Sequence, residues 1–356
     1  MFLKKVYHKI RSILYKIKLD YKTIWRHHYK VDLGIQSKWS IFEKIKYNRL
    51  GFTNEDYHNY ELKHRDYHEF ISYRERWRLE DINGRFAYIL GEKLLFERIF
   101  GRFIKVPHIH CWVKKKSFID LDTGENVDLL SVLDKEKCLI AKPTRSDGGG
   151  VGIHKIAAED GRYSIDGKTV SAENLVRTAA TWNEAIFVDF IHQAEYAERI
   201  YPEATNTMRV VTAHRKDGSF DVILAFHRFG TERSKPVDNI SSGGLFALID
   251  IIDGSMSAAK RKTAPSEWLS EHPDTHSRIE GTAVPNWNGI KEKLLQVHRC
   301  FPYYTFLAWD IVIDQDGTPC TLEINRGCDL GIQMIRPLRK EKLGEFMREY
   351  GLLDKR

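Results

Sequence analysis

At 356 residues the chain is too long for one ordinary hydrophobic core, and its 42% hydrophobic and 12% aromatic content is that of a globular protein, not a disordered one. Its formal net charge of +7 sits at one end: nine of the 56 Lys and Arg and one of the 49 Asp and Glu lie in residues 1–30, leaving 47 basic against 48 acidic elsewhere. That balance excludes a nucleic-acid groove over the whole body, and every apolar run falls short of the roughly 18 residues a membrane-spanning helix needs.

Residues 1–30 place Leu3, Val6, Ile10, Ile13, Leu14, Ile17, Tyr21 and Ile24 at steps of three and four, one helical face, with the basic residues mainly elsewhere on the wheel. Such a basic amphipathic helix either packs its apolar stripe on the body or lies on an anionic membrane surface. Lys9 and Arg11 interrupt the apolar pattern, so no signal-peptide core is expected. Residues 31–90 are aromatic and charged with few turn signals, and read as helical with irregular breaks. Residues 89–103 predict a helix that Gly101 interrupts near its end, and residues 106–113 an extended stretch. His108 and His110 would share a face there, but no third metal ligand lies within sequence reach, and they read as ordinary polar strand residues.

Near residue 115 short β-like runs begin to alternate with turns. Residues 138–141 and 152–156 read as strands, followed by a turn at Asp166-Gly167 and a helix over 172–178. Residues 186–190 form an apolar strand. Residues 210–213 and 222–226 flank Lys216-Asp217-Gly218-Ser219, a hairpin signal. A strand over 245–252 ends at Asp253-Gly254, a helix follows over 290–300, and residues 307–313 and 321–324 flank a second hairpin turn at Gln315-Asp316-Gly317. The class is α+β, with mainly antiparallel sheet in the second half. The five cysteines, at 111, 138, 300, 320 and 328, are odd in number and never spaced C-x-x-C. They read as buried or partly buried free thiols in a reducing cytoplasm.

Three constellations carry chemistry. Lys142-Pro143 ends a strand and leads into Ser146-Asp147-Gly148-Gly149-Gly150-Val151-Gly152. Glycines let backbone N–H groups approach a phosphate, and the lysine adds a point charge; the same sequence also suits a plain hairpin tip. It is neither a Walker A loop nor G-x-G-x-x-G. Second, the hairpin at Asp316-Gly317 brings Asp310 opposite Leu322 or Glu323, and Glu323 and Asn325 share a face. Two carboxylates about 5 Å apart repel by roughly 3 kcal/mol at an effective dielectric of about 20. A Mg²⁺ shared with phosphates removes that cost; so would one protonated acid or a local ion pair with Arg326. Third, Asn206-Thr207-Met208-Arg209 opens a strand, with Lys235, Asp238, Asn239 and Ser241-Ser242-Gly243-Gly244 downstream; Arg209 suits a phosphate clamp or a surface ion pair.

The order of these pieces, lysine with glycine loop, apolar strand, arginine, then a carboxylate hairpin ending Glu323-Ile324-Asn325, resembles the ATP-grasp superfamily. More narrowly it resembles the sugar-transfer-associated ATP-grasp group of bacterial glycan biosynthesis. The narrower likeness rests on Asn206 to Arg209, Val237-Asp238-Asn239 with Gly243-Gly244, Ile249-Asp250 before Asp253-Gly254, Val284-Pro285-Asn286-Trp287, Ala308-Trp309-Asp310-Ile311, and Glu323-Ile324-Asn325 followed by Gln333. It spans roughly residues 85–340. It implies an ATP-grasp fold: a helical N-terminal region, an antiparallel-sheet lid and a C-terminal α+β domain. The expected organisation is a basic helix over 1–30, a helical region over 31–114, a lid over 115–188 and a metal-binding subdomain over 189–356.

Residue by residue, Lys93 and Lys142 match the lysines that touch ATP phosphates, and Gly148, Gly149, Gly150 and Gly152 the mobile loop over the triphosphate. Residues 186–191, with Asp189, Phe190 and Ile191, match the adenine linker. Asp189 stands where the family usually has Glu, so Glu195 or Glu198 is expected to serve the ribose. Asp310, Glu323 and Asn325 match ligands of Mg²⁺, two ions being expected. Arg209 matches the arginine that stabilises the transferring phosphate. Trp309 occupies the place where many ATP-grasp ligases carry a basic residue. Asn206, Lys235, Asp238, Asn239 and Gln333 are expected at the substrates. The implied activity is an ATP-dependent carboxylate–amine ligase that forms an amide through an acyl phosphate, joining an amino acid or similar group to a uronic-acid-containing glycan at the cytoplasmic membrane face. A small-molecule kinase and a non-catalytic ATP-binding scaffold are the alternatives.

Overall fold

In the computed structural model residues 40–145, 152–262 and 267–356 are described. They form two compact units, one of residues 40–82 and 329–356, the other of residues 83–145, 152–262 and 267–328. The amphipathic stretch at 1–30 and Gly148, Gly149 and Gly150 lie outside the described residues. Among the described residues no helix is long and apolar enough to cross a membrane.

The first unit is helical, as its composition predicts: α1 (Ile41–Arg49), α2 (Asn54–Asn59), α3 (Tyr73–Glu80) and a C-terminal helix, Lys342–Glu349. Its breaks have local causes. Ser40, Thr53 and Ser72 each cap the following helix in a reciprocal box with Glu43, Asp56 and Glu75, satisfying backbone N–H groups that a helix start leaves unpaired.

In the second unit the helix expected over 89–103 is split. Glu92 is extended, so α4 (Ala87–Leu90) ends before α5 (Lys93–Phe100) begins, and Lys93 lies in the first turn of a new helix. Then come β1 (Ile109–Lys114), β2 (Ser117–Ile119), α6 (Leu129–Glu136), β3 (Cys138–Pro143), β4 (His154–Glu159), β5 (Arg162–Ile165), β6 (Lys168–Val170), α7 (Ala172–Ala179) and β7 (Ala185–Asp189). Their sheet runs β2-β1-β7-β3-β4-β5-β6, antiparallel throughout. Alternation divides its faces. Leu139 and Phe187 pack with Leu129 and Leu133 of α6 and Leu175 of α7. Ile140, Ile186 and Val188 lie on the other face, and Lys142, opposite Ile186, belongs with them.

The remaining elements are α8 (Glu195–Ile200), β8 (Met208–His214), β9 (Phe220–Phe229), β10 (Leu245–Leu248), β11 (Lys260–Arg261), α9 (Trp287–Cys300), β12 (Phe306–Ile313) and β13 (Pro319–Asn325). The second sheet is ordered β11-β10-β9-β8-β12-β13, again antiparallel. Ile290, Leu294 and Val297 of α9 and Phe96 and Phe100 of α5 pack on Val210, Leu307, Trp309 and Ile311. Burying a side chain such as Leu294 contributes about 1.5–3 kcal/mol, and Leu294→Ala would cost about 2–5. β12 is buried along its whole length, so Asp310, on the face opposite Trp309, is a charge set into an apolar strand. Trp309 explains its own identity: it faces the core, and its indole N–H donates to Thr212 Oγ1 at 2.8 Å. None of the five cysteines forms a disulfide; Cys111, Cys320 and Cys328 are buried and Cys138 partly so, but Cys300, at the exposed end of α9, departs from the expected burial.

Candidate functional site

The site begins with a bulge. From the turn, Ile313, Val312 and Ile311 pair with Pro319, Cys320 and Thr321; one further regular step would place Asp310 opposite Leu322. The register shifts there instead, so Asp310 faces Glu323 and Ala308 faces Asn325. The shift puts both carboxylates and the amide on one face. Asn325 Nδ2 lies 3.3 Å from Asp310 Oδ2 and 3.2 Å from Glu323 Oε1.

Cations close around the pair from neighbouring strands. Arg209, directly across β8 from Asp310, grips it with Nε on Oδ1 and with Nη2 2.7 Å from Oδ2. Arg228 of β9 adds Nη2 at 3.2 Å from the same Oδ2. Burial works against the Asp310 charge, but Arg209 and Arg228 outweigh it and hold the carboxyl down at about 2. Arg326, the partner expected if no metal bound, is exposed; the ion pair goes to Arg209 and Arg228 instead.

Lys93 Nζ lies 3.5 Å from Glu323 Oε2, and its backbone N–H donates to Thr144 O just beyond β3. Lys142 Nζ donates at 3.5 Å to Leu322 O, the bulge carbonyl. Burial and then the Lys93 charge pull Lys142 down to about 8, against the attraction of Glu323. Gly152, at φ +77, closes the glycine loop beside Pro143, whose Cγ would meet an added Cβ at 3.0 Å. Among the described residues Lys93, Lys142, Arg209 and Arg228 thus outnumber Asp310, Glu323 and Asp238, an arrangement suited to a polyphosphate.

The donor set also fits a hard divalent cation. Oxygens of Asp310 and Glu323 converge on one point, now taken by an amide nitrogen, and the Asn325 amide supplies a third oxygen when turned. Asp310, Glu323 and Asn325 are the residues that would hold it.

The other expected residues divide. Phe190 and Ile191 follow β7 as a partly buried linker. The Asp189 side chain, however, is on the α6 face with Leu139; it accepts from His108 N at 2.9 Å and meets His110 Nε2 at 2.6 Å. Glu195 is exposed at the start of α8, and Glu198 accepts from Gln193 Nε2 at 2.7 Å. Asp238 belongs to the arginine network: its Oδ2 accepts from Thr207 N and Oγ1 and lies 3.4 Å from Arg228 Nε. Asn239 caps a turn through Ser241 N, beside Gly243 at φ +108. Lys235 is exposed and paired with Glu232 at 2.8 Å. Asn206 and Gln333, expected at the substrates, are corrected by their surroundings. Asn206 Nδ2 donates to Gln193, Ala197 and Tyr201 oxygens and its Oδ1 accepts from Gly230 N. Gln333, in the other unit, is 0% exposed and brackets both backbone groups of Ile71. Buried amides and loop backbone satisfy one another there, leaving nothing for a ligand.

Sequence reading missed two cations. Arg228 is the first; its only signal is that it lies two residues from Phe226, which faces Arg209 across the β8–β9 ladder. Lys155 is the second: opposite Ile140 on the Lys142 face, it sits 4.3 Å over the Phe190 ring of the linker.

A family model described as sugar-transfer-associated ATP-grasp matches residues 74–342. No curated protein matches the chain. Among solved structures, an N5-carboxyaminoimidazole ribonucleotide synthetase in an ADP complex is 10% identical at a TM-score of 0.43, covering 74% of this chain and 52% of its own. The same enzyme from Thermotoga maritima is 12% identical at 0.40, covering 75% and 50%. An L-amino acid ligase from Bacillus licheniformis is 9% identical at 0.41, covering 74% and 48%. The chain spans about half the length of these structures.

Proposed function

Because the chain belongs to the sugar-transfer-associated ATP-grasp family, we propose that it is an ATP-dependent ligase that activates a carboxylate as an acyl phosphate and passes it to an amine. The observation that carries the reading is the bulge that sets Glu323 opposite Asp310, ringed by Lys93, Lys142, Arg209 and Arg228. Asp310, Glu323 and Asn325 would hold Mg²⁺, whose role when bound is to neutralise phosphate charge.

This chain's own residues position and neutralise. Lys93 and Lys142 face the phosphates of ATP, and the linker Phe190-Ile191, capped by Lys155, receives the base. Arg209 and Arg228 meet the charge of the transferring phosphoryl group, already fixed by Asp310 and Asp238, so little reorganisation is needed at the moment of transfer. The carboxylate oxygen bonds to the γ-phosphorus as ADP leaves. The amine nitrogen then bonds to the carbonyl carbon, the carbon–oxygen bond to phosphate breaks, and the leaving phosphate takes up the proton that the nitrogen sheds. The glycine loop of residues 148–152 is the element assigned to exclude water from the acyl phosphate.

The family's description supports a glycan setting: an amino acid or similar amine joined to a uronic-acid-containing glycan or its precursor, with residues 1–30 resting on the inner face of the membrane. The test is Mg²⁺-dependent ATP turnover with pooled amino acids and uronic acids, wild type against Glu323→Ala. Release of ADP and phosphate that needs both pools and vanishes in the variant supports the ligase. Turnover that survives Glu323→Ala removes the site assignment, and ADP release without free phosphate points to a kinase.

A further inference from the structure

On the face of the lid sheet turned away from Lys142, metal-ligand side chains from three elements converge. His110 is the extra residue of a bulge in β1, between Ile109 opposite Val188 and Cys111 opposite Phe187. Its Nε2 is 2.6 Å from Asp189 Oδ1 at the end of β7. Glu136 is the last residue of α6, after which Lys137, at φ 67, turns the chain straight into β3. One ligand atom from each of His110, Glu136 and Asp189 lies within 4.8 Å of the other two.

The geometry points to a divalent transition-metal site of the zinc class at His110 Nε2, Glu136 and Asp189. One imidazole with two carboxylates is a mixed nitrogen–oxygen set, which suits Zn²⁺, whereas the all-oxygen set of Asp310, Glu323 and Asn325 suits Mg²⁺. The Asp189 carboxylate is already oriented from behind, since its other oxygen, Oδ2, accepts from His108 N at 2.9 Å. Lys135, 81% exposed, is a cation that meets these acids, with Nζ 2.8 Å from Glu136 Oε1. So solvated a lysine neutralises weakly and yields readily to a divalent ion. The three ligand residues are partly exposed, which leaves a path for the ion. Bound there, it would clip β1, β7 and the α6–β3 junction together around the lid core, next to the linker that follows Asp189. Its role is structural and independent of the ligase reading.

The test takes the full chain, treated with chelator and free of nucleotide, and titrates it with ZnCl₂ by calorimetry and thermal melting. One Zn²⁺ per chain is expected, with a melting midpoint raised by several degrees. His110→Ala and Glu136→Gln are each expected to weaken uptake by more than about tenfold, a loss already typical of removing an outer-shell partner. Glu323→Ala is expected to leave it unchanged. No saturable uptake, uptake unchanged in both lid variants, or uptake lost in Glu323→Ala would each overturn the site. If His110→Ala fails to fold, Co²⁺ absorption decides: visible bands present in wild type and absent in Glu136→Gln support it, and bands that survive sink it.

Discussion

Each unit buries a carboxylate between two arginines. In the first, Glu75 Oε1 accepts from Arg339 Nη1 at 2.8 Å and Asp354 N at 2.8 Å, while Oε2 accepts from Arg356 Nη2 at 2.5 Å, Ser72 N at 2.8 Å and Ser72 Oγ at 2.9 Å. In the second, Asp310 is held by Arg209 and Arg228. The difference lies in what stands next to each. Both oxygens of Glu75 are used up by its own unit, and its side chain is 0% exposed. Asp310 faces Glu323, 32% exposed, which stands beside the amines of Lys93 and Lys142, and among the described residues these cations and the two arginines outnumber the acids. A buried charge cluster signals a ligand when it leaves charge over on an open side; when it closes on itself it is a clasp.

The sharpest way to break that contrast is to remove each acid. Glu75→Ala strands two buried arginines and should cost about 3–5 kcal/mol, lowering the melting midpoint by roughly 10 °C. Added triphosphate with Mg²⁺ should restore little of it. Asp310→Ala should lose less stability and regain part of that loss with the same additive, because its arginines face a place where an anion can stand in for the acid. Calorimetric melts of both variants, with and without the additive, check this; equal rescue of the two would erase the distinction.

A second contrast runs within the second unit itself. His227 and His298 are buried and sealed. The His298 Nε2–H donates to Tyr304 O at 3.0 Å, and Thr212 Oγ1 meets Nδ1 at 2.7 Å. Burial depresses His298 to about 4 and His227 to about 3. Both folded values lie below the unfolded 6.5, so the unfolded chain binds more protons, and stability present above pH 6.5 is lost as pH falls toward 4. His298 alone accounts for about 2–3 kcal/mol by pH 4.5. Denaturant midpoints at pH 7 and 4.5 test it, and His298→Gln should flatten part of the slope.

Arg228 belongs to the open side, and its removal should show in rate before stability. Arg228→Ala is expected to lower turnover by roughly 10²-fold, the usual cost of one preorganised donor. Nucleotide affinity should change less, and Arg228→Lys should recover only part of the rate because it cannot span Asp310 and Asp238 together. The carboxylate hairpin was legible in the sequence since Asp310, Glu323 and Asn325 flank one short turn, and period-2 alternation assigns their face. The bulge that chooses Glu323 over Leu322 has no such signature, and Arg228 is reached only by stacking three strands in register. Asn206 and Gln333 misled because polar residues in motif loops serve the loop backbone as often as a substrate. His110, Asp189 and Glu136 come together only when β1 pairs with β7 and α6 packs on the first sheet, so no third ligand stands near His108 and His110 in sequence.

The smallest expected effect concerns Lys142, where the open side meets solvent pH. Held near 8 by burial and by Lys93, this amine loses its proton well below the usual lysine range. Phosphate binding needs it charged, so affinity for a nonhydrolysable ATP analogue should be flat below pH 8 and fall by up to about tenfold per unit above it. The bound phosphate favours the ammonium and pushes the break upward in the complex, so the free protein sets where the fall begins. Lys142→Arg keeps a charge that does not titrate and should remove the slope while weakening binding at neutral pH, since a guanidinium does not fit a space shaped for an ammonium. Calorimetry across pH 6.5–9.5 reads both. A slope that persists in Lys142→Arg would assign the titration to another group and leave Lys142 outside the phosphate wall.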